Sequence, residues 1–155
     1  MIQPLTHNST GEGQACFSEE YNQSLLLCWK IRIGFRKLIE IERIKAYSNW
    51  FYTNNLLPHF DIEEKFVFPI LGKQHDLVKL SLSKHRRLKK LFDDEVNIQK
   101  SLSLIEEELE THVRFEKRKL LIEVQKVASP IELKLITKMF LELPIVEIWA
   151  DEFWK

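Results

Sequence analysis

Glycine, proline and cysteine are all scarce in this sequence, whose 155 residues include 4 glycines, 5 prolines and 2 cysteines. The shortage of glycine and proline argues against a disordered or collagen-like chain, because both classes are rich in these residues. Cys16 and Cys28 do not form a C-x-x-C pattern, so free thiols in a reducing compartment are expected rather than a disulfide. The length suits one domain with a substantial core.

An excess of charge of either sign is also missing, since 23 basic residues balance 23 acidic ones. Without a basic field there is no general attraction for nucleic acid, and no nucleic-acid partner is expected. No stretch approaches the roughly 20 apolar residues that span a bilayer, and the polar start lacks the features of a secretory signal. These absences predict a cytoplasmic protein without a membrane partner.

Apolar residues recur with a helical period along most of the chain, and no strand-like alternation of useful length appears. The pattern predicts a flexible leader over residues 1–16 and one domain over 17–155. A kink is expected at Pro58, and Ser129 is the expected N-cap of a short fifth helix. Four long helices are expected at about 18–36, 41–71, 76–95 and 97–127. Their short connections predict an all-α fold, an up-down-up-down four-helix bundle with a short C-terminal helix and tail.

Three histidines are the main candidates for chemistry. His59 precedes Glu63 by four residues and His112 precedes Glu116 by four, and residues at this spacing lie on one face of a helix. Each pair can present an imidazole and a carboxylate to the inside of a bundle, toward which His85 also projects from the third helix. These ligand types suit iron, manganese or zinc. Because inward carboxylates build two-metal sites in bundles, Glu63 and Glu116 are expected to bridge two ions.

A core of hydrogen-bonded histidines without metal is the competing interpretation. An isolated H-x-x-x-E pair on a helix is weak evidence, because most such pairs are solvated. Two pairs on apolar faces, with a third inward histidine between them, favour the metal site. Three buried histidines without partners would be costly in free energy.

Other conspicuous side chains have structural interpretations. His75 is expected to be a surface or capping residue at the start of the third helix. Glu64 lies about 100° around the helix from Glu63, so it is expected to support the site from behind or to face solvent. The tryptophans are expected in the core or in tail docking: Trp29, Trp50, Trp149 and Trp154. The basic run of the third helix is expected to be solvated surface: Lys84, Arg86, Arg87, Lys89 and Lys90.

Several segments resemble a known family. LLPHFDIEEKFVFPIL, SKHRRLKKLF and LETHVRFEKRKLL are similar to the three signature segments of hemerythrin-like (HHE cation-binding) domains. LLLCWKIR and ADEFW are similar to a bacterial subgroup of that family, and the resemblance covers roughly residues 17–155. It implies a four-helix bundle with a non-haem di-iron centre, in proteins that bind dioxygen or sense oxygen or iron. By position, the implied metal ligands are His59, Glu63, His85, His112 and Glu116.

The family also has a histidine on its first helix, where this sequence reads FSEEYNQSLLL. Tyr21 or Asn22 stands at that position. The phenolate of Tyr21 or the carboxylate of Glu20 is a candidate replacement ligand, and a Tyr21 that only packs in the core is the alternative. The lost nitrogen donor predicts weaker binding or a single ion, and the small number of histidines argues against reversible oxygen carriage.

The sequence therefore predicts a hemerythrin-like metal-binding protein in oxygen, redox or iron sensing, or in iron handling. Di-iron is the first choice of cofactor, with single iron, manganese or zinc as alternatives. Dioxygen is a candidate ligand of the metal. A homodimer is one option for the assembly of the protein. No Ser-His-Asp or Cys-His arrangement and no glycine-rich phosphate loop is recognisable, so no turnover reaction is predicted. The alternatives are a degenerate, metal-free helical interaction or structural module, and a weak oxidase or peroxide-handling enzyme on the same metals.

Overall fold

The computed structural model describes residues 5–144 and 148–155, with side chains from Tyr21 onward. Helices account for all the regular structure in these ranges, and no strand occurs there, which confirms the all-α prediction. The α-helices are α1 Leu5–Arg36, α2 Ile41–Phe51, α3 Leu57–Ile62, α4 Phe68–Leu71, α5 Asp76–Asp93, α6 Ile98–Phe115, α7 Leu121–Val127 and α8 Pro130–Leu141. Three wider segments are π-helical: π1 Tyr52–Leu56, π2 Glu63–Val67 and π3 Glu116–Leu120. None of these helices is long and apolar enough to cross a membrane.

The helical segments join end to end into four long rods followed by the short α8. The first rod is α1, the second is residues 41–71, the third is α5 and the fourth is residues 98–127. Most of the predicted helix ends agree with the observed ones, but α1 begins at Leu5 rather than near residue 18. Side chains before Tyr21 lie outside the described part, so the flexible leader and the domain boundary stay predictions.

Local chemistry explains where the rods begin and end. Gly72 ends the second rod at a φ of 93°, a left-handed conformation that glycine adopts without steric cost. His75 is the N-cap of α5, since its Nδ1 accepts a hydrogen bond from the backbone N–H of Leu77, which confirms its capping role. Ser129 and Glu132 form a reciprocal capping box at the start of α8, as the sequence predicts.

The core lies between the long rods. α1 packs against α6, α2 and α8, while α5 packs against α6, and α4 packs against α7. Arg32 links α1 to α6, because its guanidinium donates to Glu106 at 2.6 Å and to Glu110 at 2.7 Å. The core includes the fully buried side chains Leu27, Ile31, Ile44, Leu88, Leu102, Ile105, Leu109 and Leu120.

Aromatic residues of the tail dock onto α2. The ring of Tyr47 lies 5.9 Å from Trp149, 5.9 Å from Phe153 and 4.9 Å from Trp154, measured between centroids. Trp50 lies 5.2 Å from Trp149, so three of the four tryptophans have the predicted core or docking role. The prediction for Trp29 is wrong, because 45% of this residue is exposed.

Candidate metal centre

The five predicted ligands converge inside the helical assembly. His59 and Glu63 come from the second rod, His85 from α5, and His112 and Glu116 from the fourth rod. Each is at most 6% exposed. Lone imidazole and carboxylate groups are rarely buried this deeply, because removing them from water is costly unless they have partners.

Donor atoms of these residues face one another across the rods. The Oε1 atom of Glu63 lies 3.5 Å from Nε2 of His59 and 3.4 Å from Nε2 of His85. The Oε1 atom of Glu116 lies 2.6 Å from Nε2 of His112 and 3.5 Å from Nε2 of His85. The imidazole of His85 is therefore bordered by both carboxylates.

Two groups of donor atoms have the spacing of a metal site. One consists of His85, His112 and Glu116, and the other of His59, Glu63 and Glu116; within each group all donor atoms lie within 4.8 Å of one another. Nitrogen and oxygen ligands bind zinc at about 2.0–2.2 Å, so donors on opposite sides of an ion are about 4 Å apart. Small side-chain movements would bring either group around one ion. Glu116 belongs to both groups, whereas Glu63 belongs to one of them.

Both predicted acidic ligands lie where an α-helix widens. Glu63 and Glu116 are each the first residue of a π-helical segment, and each lies four residues after its partner histidine. The i, i+4 spacing places the histidine and the glutamate of each pair on one helix face, and the wider turn begins at the glutamate. Isolated π-helical turns inside α-helices are frequent at functional sites. The sequence analysis did not anticipate these segments.

Several polar atoms at the centre lack conventional partners. Glu63 Oε1, His85 Nε2 and His112 Nε2 are buried and make no hydrogen bond of acceptable geometry in the described part of the chain. This holds for His112 although Glu116 lies close by, because the two atoms do not meet in hydrogen-bonding geometry. Buried polar atoms are paired in most proteins, so three such atoms at one point fit a cation bound among them.

The charges of the centre are strongly coupled. Burial and the nearby charge of Glu116 raise the pKa of Glu63 to about 8. Burial also acts to raise the pKa of Glu116, but His112, Glu63 and His85 outweigh it and lower that pKa well below its usual range. Burial acts to lower the pKa of His85, yet the nearby carboxylates of Glu116, Glu63 and Glu64 prevail and raise it to about 11. In the metal-free protein, protons on Glu63 and His85 thus offset the negative charge that a cation would neutralise.

Tyr21 faces this centre from α1. It is 4% exposed, and burial together with the charges of Glu116 and Glu63 raises the pKa of its phenol well above the usual value. The neighbouring Asn22 is exposed, so it does not face the carboxylates. The side chain of Glu20, the third candidate, lies outside the described residues.

Aromatic rings and one further polar residue surround the ligands. Phe60 stacks on His85 at 3.8 Å between ring centroids, and Phe140 of α8 lies 4.8 Å from His59. These rings limit the access of water to the donor atoms. Ser81, which the sequence analysis missed, donates from its hydroxyl to Oε1 of Glu116 at 3.3 Å. Its position four residues before His85 on the same helix face was the available signal.

Comparison with known proteins gives no independent assignment. No family model, curated protein or solved structure matches the chain. The hemerythrin-like resemblance therefore remains a prediction from sequence segments, and function has to be argued from the chemistry of the site itself.

Proposed function

We propose that this chain is a hemerythrin-like metal-binding protein whose four long rods form an up-down-up-down bundle around a two-metal centre. The ligands would be His59, Glu63, His85, His112 and Glu116, with Tyr21 in place of the usual first-helix histidine. The observation that carries the proposal is the burial of three imidazoles and two carboxylates with their donor atoms turned toward one another. Imidazole and carboxylate groups are rarely buried this deeply unless they have partners.

The composition of the two ligand groups supports iron as the first choice. One group offers two imidazoles and a carboxylate, and the other offers one imidazole and two carboxylates. Such nitrogen and oxygen sets suit iron, and also manganese or zinc, while no thiolate belongs to either group. Bound iron would supply redox chemistry and affinity for dioxygen.

The surroundings of the centre favour sensing or iron handling as its role. Phe60 and Phe140 shield the ligands, and Glu116 is shared by both groups, so binding at one group orients a ligand of the other. Three histidines are fewer than oxygen-carrying members of the resembled family use. We therefore propose oxygen, redox or iron sensing, or iron handling, as the physiological role.

Metal analysis of the purified protein tests this proposal. After anaerobic incubation with ferrous iron and removal of excess metal, the wild-type chain should retain about two iron ions, as expected for paired sites in carboxylate bundles. The double variant His59→Ala with His112→Ala should retain almost none, because each ligand group loses an imidazole. His75→Ala is the matched control, since this histidine caps α5 outside the centre and its loss should leave the iron content unchanged.

The same series tests the role of Tyr21. Tyr21→Phe removes only the phenol oxygen, so a ferric-phenolate absorption that appears in the iron-loaded wild type after oxidation in air, and is absent from this variant, would identify the ligand. Unchanged iron content in the double histidine variant would show that the ligand assignment is wrong. A folded wild-type chain that retains no iron, manganese or zinc would instead support the metal-free helical module.

A further inference from the structure

His85 is held from both sides of its ring. On the inner side, Nε2 lies 3.4 Å from Glu63 Oε1 and 3.5 Å from Glu116 Oε1. On the outer side, Nδ1 lies 2.7 Å from Oε2 of Glu64. Phe60 stacks on the ring at an interplanar angle of 12°, which restricts its rotation. A neutral imidazole that binds a metal through one nitrogen carries its proton on the other, and the outer hydrogen bond determines which nitrogen that is.

The second imidazole of the same ligand group has no comparable support. Nδ1 of His112 is buried and has no hydrogen-bond partner among the residues that the structure describes. Of the two histidines in the group with Glu116, His85 is therefore the one that a carboxylate holds from behind. A carboxylate behind a ligand histidine fixes its orientation and increases the basicity of the nitrogen that faces the metal.

We propose that Glu64 is a positioning residue of the metal centre, which accepts the Nδ1–H of His85 and thereby directs Nε2 toward the metal. This inference rests on the proposed function, because it assigns a role that exists only if His85 is a metal ligand. Glu64 acts through His85 and is not itself a ligand, since its carboxylate lies on the outer side of the ring.

Glu64 and His85 both line a surface cleft of about 270 Å³. Asp61 and Arg86 also line this cleft. The side chain of Glu64 is 43% exposed, whereas that of His85 is 4% exposed. Solvent therefore reaches the positioning carboxylate but not the inner nitrogen. A small carboxylic acid from solution can enter the space that Glu64→Ala would open.

Cobalt binding to the full chain provides the test, because the visible spectrum of Co²⁺ reports its ligand geometry. We expect Glu64→Ala to weaken Co²⁺ binding by about 10- to 100-fold, the usual effect of losing such a supporting group. Glu64→Gln retains an acceptor oxygen without the charge, so its loss should be smaller and its spectrum shifted. Asp61→Ala is the matched control, since this residue lines the same cleft and pairs with Lys65 rather than with His85. Its affinity and spectrum should be those of the wild type.

Sodium formate separates positioning from packing. Added formate should restore the affinity and spectrum of Glu64→Ala toward the wild type and should leave Asp61→Ala unchanged. Wild-type Co²⁺ affinity in Glu64→Ala would overturn the inference, and so would an equal loss in both Glu64 variants that formate does not reverse. If the wild-type chain itself binds no Co²⁺, the proposed function is wrong. If the wild type binds Co²⁺ and the Glu64 variants bind it equally well, only the role of Glu64 is wrong.

Discussion

At the scale of single residues, the two buried carboxylates differ although each begins a π-helical segment. Burial and the charge of Glu116 raise the pKa of Glu63, while His112 is the main neighbour that lowers the pKa of Glu116. Of this pair, Glu63 therefore holds the proton near neutral pH. A metal ion that binds the pair has to displace it, so metal affinity depends on pH.

This difference predicts how the stability of the metal-free protein varies with pH. The pKa of Glu63 is about 8 in the folded chain and about 4.5 when exposed, so its contribution is complete below pH 4.5 and is lost as the pH rises through 8. His85, with a pKa raised from 6.5 to about 11, has a contribution of the same sign that is lost at higher pH. We expect the melting temperature of metal-depleted protein to fall between pH 5 and 8.

Glu63→Gln supplies the control for this pH dependence. The amide keeps the shape of a protonated carboxyl but does not ionise, so the fall in melting temperature over this range should be smaller than in the wild type. A pH profile that is parallel in the two proteins would show that another group causes the dependence.

The residues of the candidate site are easier to predict from the sequence than their mutual contacts are. The spacing of His59 and Glu63 places them on one helix face, and the same holds for His112 and Glu116. Distances between helices are not encoded in that spacing. The contact of His85 with both carboxylates therefore depends on how the rods pack, and only the structure provides it.

At the scale of helical elements, two of the three π-helical segments have a cause in the sequence. π1 ends at Leu56 and π2 ends at Val67, each two residues before a proline, Pro58 and Pro69. A proline ring clashes with the carbonyl group four residues earlier, and a wider turn relieves that clash. The predicted kink at Pro58 thus takes the form of a widened turn. No proline follows π3 in this way, and nothing in the local sequence indicates it.

The capping box at the start of α8 leads to a prediction at this scale. Ser129→Ala removes the side-chain acceptor for the backbone N–H of Glu132, and such losses cost about 1 kcal/mol of stability. Urea unfolding should show a lower midpoint with an unchanged slope. Ser103→Ala, at an exposed position inside α6, is the control and should not lower the midpoint. Equal urea midpoints for the wild type and Ser129→Ala would mean that the cap of α8 does not contribute to the stability of the fold.

At the scale of the whole molecule, the tail connects the chain's last residues to α1 and α2. Phe153 is buried against Tyr47, and Asp151 accepts two hydrogen bonds from Arg43, at 2.8 Å and 2.6 Å. Helical periodicity indicates which face of a helix is apolar, but not which segment covers it. The same limit explains the wrong prediction for Trp29, which lies on α1 where no described element buries it.

Two tail variants should differ in their effect on stability. Phe153→Ala leaves a cavity in the aromatic cluster, and truncation of a buried phenylalanine costs about 3–5 kcal/mol. Asp151→Asn disrupts an ion pair whose side chains are both 39% exposed, and exposed ion pairs of this kind contribute little to stability. Free energies of unfolding from denaturant titrations should rank the variants in this order. The reverse order would mean that the ion pair, rather than the aromatic contacts, holds the tail.

The widened turn at π3 determines where the length of the fourth rod can vary. A π-helical turn contains one residue more than an ordinary turn, so deletion of one of the exposed residues 117–119 would allow regular helix to replace it. Because the wide turn takes up the extra residue, the residues beyond the deletion would keep nearly the same angular position, whereas a deletion in regular helix rotates them by about 100°. Leu121 and Val124 would therefore stay buried. Related chains are thus expected to lose one residue here more readily than elsewhere in the rod.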